Sequence, residues 1–130
     1  MKIVDRKTFL AMPAGAVFQK YEANGFDFGP LSIKGDSLLP NDFFYEEMRC
    51  SPGTEEHPLT GDWIDALQRA CAHGEDVRIE LGTYGRDACF DAAQLFAVWD
   101  EGDVRRLIVE LEKAITLVRL AGAIGSEPRR

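Results

Sequence analysis

QLFAVWDEGDVRRLIVELEKAITLVRLAG, residues 94–122, carries a strand, a stop and a long helix in one stretch. Residues 95–99 are an apolar run of five, short enough for a buried strand. From Asp100 or Asp103 a helix should run to about Ala121. Val104, Leu107, Ile108, Leu111, Ile115 and Val118 recur with a period near 3.6 and form one apolar stripe. Glu101 and Asp103 at its start and Arg119 near its end complement the helix dipole, and Gly122 ends it. Such a stripe predicts a helix lying across one face of a sheet.

The rest of that sheet is expected upstream. Asp5 can cap a short helical turn over residues 7–12, stopped by Pro13 and Gly15. Residues 16–22 read as a strand with Val17, Phe18 and Tyr21. Asn24-Gly25 is a hairpin signal, since both residues tolerate positive φ. In residues 31–34, Leu31 and Ile33 alternate with Ser32 and Lys34, which predicts the first pair inward and the second outward. Gly35-Asp36 and residues 39–42 read as turns. Residues 42–49, with Phe43, Phe44 and Tyr45, favour a further strand, giving a meander of about three.

Between these ends, residues 59–72 read as a helix capped by Thr60 or Asp62, with Trp63, Ile64, Leu67, Ala70 and Cys71 on one face and Gly74 as the left-handed stop. Val77, Ile79 and Leu81 alternate with Arg78 and Glu80, a half-buried strand, and residues 83–87 read as a turn around Gly85. The fold class is therefore α+β: an antiparallel sheet of four to six strands with two main helices packed on it, the C-terminal helix the longest. One domain spans 1–130, with a flexible internal loop at 50–58 and a frayed tail at 125–130. A chain of 130 residues buries roughly two thirds of its extended surface, enough to fold without metal or disulfide.

Net charge is −7, unevenly spread: residues 22–65 carry ten acids and two bases, whereas residues 1–21 and 104–130 are each +3. An acid excess disfavours direct nucleic-acid binding. It serves solubility, or forms an acidic face toward a basic partner. Three unclustered cysteines, Cys50, Cys71 and Cys89, argue against a disulfide framework and point to a reducing cytoplasm. The charged start lacks the apolar core of a signal peptide, and no apolar run reaches about 20 residues, so no membrane association is expected.

No catalytic, cofactor or metal residue is assigned. Cys50, His57, Cys71 and His73 lack the paired spacing that aims two ligands at one ion. Cys50, next to Arg49 and not far from His57, is the least unfavourable nucleophile. Glu46 and Glu47, adjacent in a strand, point to opposite faces and cannot share one acid–base site. Gly82-Thr83-Tyr84-Gly85-Arg86 lacks the helix and the Lys of a phosphate loop, and a hairpin turn explains it.

Partner surfaces have better candidates. Val109, Leu117, Leu120 and Ile124 are apolar but lie off the main stripe, on a second face toward the helix C-terminus. Either this helix is widely buried across the sheet, the favoured reading for a helix apolar on two sides, or the second face docks a protein partner or a second copy in a homodimer. At least one of Phe43 and Phe44 must face away from the side on which the other packs. With Glu46 and Glu47 these form a second candidate patch.

FLAMPAGAVF at 9–18, KYE at 20–22 and LSIKGD at 31–36, with QLFAVW at 94–99 before a helix, resemble segments of small uncharacterised proteins encoded by bacteriophages and prophages. The resemblance implies a bacterial cytoplasmic setting and an accessory role. Three function classes follow: a non-enzymatic interaction protein, which leads; an acidic nucleic-acid mimic that inhibits a host DNA-binding protein; and a small-molecule binder or enzyme using Cys50, His57 and His73.

Overall fold

A computed structural model describes residues 1–52 and 60–125. The chain order is β1 (Lys2–Val4), α1 (Arg6–Leu10), β2 (Val17–Glu22), β3 (Asp27–Phe28), β4 (Ser32–Leu38), β5 (Asp42–Pro52), α2 (Thr60–His73), β6 (Ile79–Arg86), β7 (Leu95–Val98) and α3 (Glu101–Gly125). Among the described residues the strands form one antiparallel sheet in the order β1-β7-β2-β4-β5-β6, with the short β3 paired to β2. The fold is α+β, and its C-terminal helix is the longest.

The core sits on one sheet face beneath α1. Phe9 of α1, Phe18 of β2, Phe43 of β5 and Phe96 of β7 are all essentially inaccessible to solvent. The Phe9 and Phe96 rings stack with centroids 4.0 Å apart, and Phe43 meets Phe9 edge-on at 5.0 Å. The edge-on contact suits the ring quadrupole. Asp5 caps α1 by accepting a hydrogen bond from the Thr8 amide at 2.8 Å, which fixes the helix over Phe96.

Several expectations are corrected by strand pairing. Ser32 and Lys34 face inward and are buried, so the predicted phase of β4 is reversed. Ser32 stands opposite Phe18 on one side and Glu47 on the other, and this register places it on the core face. Gly35-Asp36 is no turn; it is a bulge within β4, between Lys34 and Ser37. Residues 83–87 are likewise no turn, because β6 runs straight through to Arg86. Gly82, at φ +95°, supplies a left-handed kink there that a side chain would resist. β6 begins at Ile79, and both Ile79 and Leu81 are exposed, since they lie on an edge strand at the far end of the sheet. In the β2–β3 turn the positive φ falls on Phe26, not on Asn24 or Gly25. Cys50–Pro52, expected in a loop, pair with β6 inside β5. The remainder of that loop and the tail beyond Gly125 lie outside the described residues.

The largest correction concerns α3. It does not end at Gly122 but continues to Gly125, and its stripe does not cover the sheet. Only Asp103, Val104 and Leu107 are partly sheltered, and among the described residues the helix is exposed beyond its first two turns. The reason lies at its root. Trp99 extends β7 by donating its amide to the Val17 carbonyl at 2.8 Å, and its indole donates to Gln19 Oε1 at 3.0 Å. Asp100 then starts the helix with a reciprocal cap: Asp103 N–H donates to Asp100 Oδ1 at 2.8 Å and Asp100 N–H to Asp103 Oδ2 at 3.1 Å. The Met1 ammonium binds Asp103 at 2.7 Å and fastens this corner to β1. The core face is meanwhile already filled by α1.

Candidate functional site

Beyond its root, α3 presents apolar side chains to solvent. Ile108, Val109, Leu111, Ile115, Leu117, Val118 and Leu120 are each 48–72% exposed. Among the described residues the helix is therefore not widely buried across the sheet, and Leu117 and Leu120 are exposed. The Ile124 side chain lies outside the described set. At the helix root, Met1, Trp99, Asp103, Arg106, Leu107 and Glu110 line an apolar groove of about 280 Å³. Asp103 is held well below the usual carboxylate range by its bond to the Met1 ammonium, the Asp100 amide and Arg106, so it stays charged beside that groove.

α2 repeats the pattern on a smaller scale. Ile64, Leu67 and Cys71 of its predicted inward face are exposed and line a shallow apolar groove with Gln68 and Ala72. Its sheltered residues are Trp63, Ala66 and Ala70. Gly74, at φ +67°, donates to the Ala70 carbonyl at 2.9 Å and ends the helix as predicted.

The sheet patch does not form one surface. Phe43 belongs to the core and is unavailable to a partner. Phe44 faces the other way and stacks on Tyr84, centroids 5.6 Å apart. Glu46 stands opposite Tyr84 and close to Gly82, whereas Glu47 stands on the core side opposite Ser32 and pairs with Arg49 at 3.5 Å. Glu47 also lines a recess of about 170 Å³ with Phe18, Lys20, Pro30, Ser32 and Tyr45. Strand alternation separates these four candidates by construction.

A buried ionic cluster next to the core was not foreseen. The Asp87 carboxylate is fully buried and accepts from Arg6 Nη2 at 3.0 Å and Lys20 Nζ at 2.5 Å. Burial pushes its carboxyl up, but the bonds and charges of Lys20 and Arg6 outweigh that and hold it below the ordinary value. Burial likewise depresses Lys20, and the bond to Asp87 more than reverses it. Asn41 holds Arg6 from the other side through its side-chain oxygen at 2.7 Å and its carbonyl at 2.9 Å. Asp42 pairs with Arg86 at 3.0 Å. Lys34 donates to the Gly35 carbonyl at 3.0 Å and Ser37 Oγ at 2.8 Å, and burial lowers its pKa. These polar groups position strands; their only sequence signal is lysine and aspartate inside or just after apolar strands.

The thiol and imidazole candidates do not converge. Cys50 lies in β5 opposite Leu81, and His73 closes α2 in a separate groove with Asp65, Gln68, Arg69 and Ala72. His57 lies outside the described residues. Cys50, Cys71 and Cys89 are free and exposed. Among the described residues, no three His, Cys, Asp or Glu side chains gather as metal ligands, and no helix is long and apolar enough to cross a membrane. No protein-family model matches this chain, and no curated protein and no solved structure is significantly similar to it.

Proposed function

We propose that this chain is a non-enzymatic interaction protein whose working surface is the apolar face of α3. One observation carries the reading: Ile108, Leu111, Ile115 and Val118 of that face are about half or more exposed while the sheet core is complete without them. An apolar patch of this extent marks a contact surface in a folded protein. Each half-exposed side chain regains roughly 1 kcal/mol on burial, so the stripe supports a stable complex. The resemblance of residues 9–18, 20–22, 31–36 and 94–99 to segments of phage and prophage proteins supports an accessory role in the bacterial cytoplasm.

Three of the acids in residues 22–65 do not add to one acidic face. Asp42 is buried against Arg86, and Glu46 and Glu47 leave from opposite faces. Nor does Cys50 meet His73 in a recess. The test is a pull-down from bacterial lysate, at low and high salt, with the wild type and with Ile115→Ser/Val118→Ser. The reading requires a specific retained protein, a second copy included, that survives high salt and is lost with the double variant. The same retained set for both proteins overturns it.

A further inference from the structure

Resting on that reading, we propose that the partner of α3 is α3 of a second copy, running antiparallel. The charge distribution along the helix fits a second copy, and fits it in one direction. Residues 101–112 carry Glu101, Asp103, Glu110 and Glu112 against Arg105 and Arg106, a net −2; residues 113–125 carry Lys113 and Arg119, a net +2. An antiparallel pair lays the acidic half of each helix on the basic half of the other, whereas a parallel pair lays like on like. Opposed macrodipoles favour the same direction.

The apolar spacing supplies the register. Val104, Leu107, Leu111, Ala114, Val118 and Ala121 alternate by three and four residues, the seam of a two-helix pair. Pairing two copies antiparallel sets Val104 against Ala121, Leu107 against Val118 and Leu111 against Ala114 of the other copy. Ala114 and Ala121 each receive a larger residue, so large meets small along the seam. Ile108 and Ile115 of opposite copies meet on the flank of this seam. The seam is about 27 Å long at 1.5 Å per residue. It is continuous with the groove at the helix root, which is lined by Met1, Trp99 and Leu107 and which Val118 of the other copy reaches in this register.

The experiment is sedimentation equilibrium on the full chain at about 100 μM and below, where complexes with micromolar Kd are populated. It uses the wild type, Glu110→Lys/Glu112→Lys, and Lys113→Glu/Arg119→Glu, with circular dichroism to verify that each variant folds. The wild type is expected at twice its 14.5 kDa. Each variant places like charge on like across an antiparallel pair and is expected to associate at least about tenfold more weakly. An equimolar mixture restores opposite charge at both ends and should return to the dimer mass. Ile115→Ser/Val118→Ser, which removes apolar area and no charge, should be monomeric. A wild type that stays monomeric overturns self-pairing while leaving the interaction reading to the pull-down. A dimer that both charge variants retain overturns the antiparallel pairing.

Discussion

Five residues of α1 bury Phe9 completely and close the aromatic core, whereas most of the twenty-five residues of α3 stand clear of it. Both helices are capped by an aspartate and both follow a strand of the same sheet. They differ in what their first turn meets. α1 is folded back over Phe96, so one aromatic ring does the work of a whole helix face. α3 leaves a corner fastened by Trp99, Asp100 and the Met1 ammonium and is aimed away from a face that is already occupied. Helical amphipathicity thus states that a face will be covered and is silent on what covers it.

The contrast breaks most directly at Phe9. Phe9→Ala should cost about 4 kcal/mol in urea-induced unfolding, since a fully buried ring leaves both lost area and a cavity. A cost under about 1 kcal/mol would mean that α1 does not hold the core. Asp87→Asn comes next. Arg6 would be left buried without its counter-charge, at a cost of about 3 kcal/mol. The wild-type Asp87 carboxyl lies below its unfolded value of 3.8, so its contribution is present above that value and is lost as pH falls through the folded-state value. Acid titration of stability should therefore be flatter in Asp87→Asn than in the wild type. At the root of α3, Asp100→Ala removes the cap and should cost about 1 kcal/mol of helix stability, read from thermal melts by circular dichroism. The smallest effect is expected furthest out. Leu117→Ser should change the stability of the dilute monomer by no more than about 0.5 kcal/mol, because its side chain is already exposed. A large loss there would show that α3 is held by its own chain after all.

What could be read from sequence follows the same division. The cap at Asp5, the turn at 39–42, the buried run from Leu95 and the stop at Gly74 rest on local chemistry and stand where they were expected. Polarity alone gives β4 the wrong phase, since it sets Ser32 and Lys34 outward. The lysine stem is apolar, and its ammonium finds the Gly35 carbonyl and Ser37 within the fold, so the register with Phe18 and Glu47 prevails. Phe43 and Phe44 could be separated in principle but not assigned, since alternation gives two faces without saying which is inner. The Arg6–Asp87–Lys20 cluster joins residues 81 and 67 positions apart and has no local signature. The α3 stripe was legible residue by residue; its lack of cover within the chain was not, because that depends on the direction in which Asp100 starts the helix.

The placement of β7 has a consequence for how the chain is made. Its neighbours in the sheet are β1 and β2, so Lys2 pairs with Val98 and Phe18 with that same Val98. During synthesis, Phe9, Phe18 and Phe43 leave the ribosome long before Phe96, the ring on which Phe9 stacks. The nascent chain must carry three unsatisfied aromatic rings until its last strand emerges, and closure of the sheet is a non-local, late event. Because α3 follows immediately after β7, the helix and its open stripe emerge just behind the strand that completes the core.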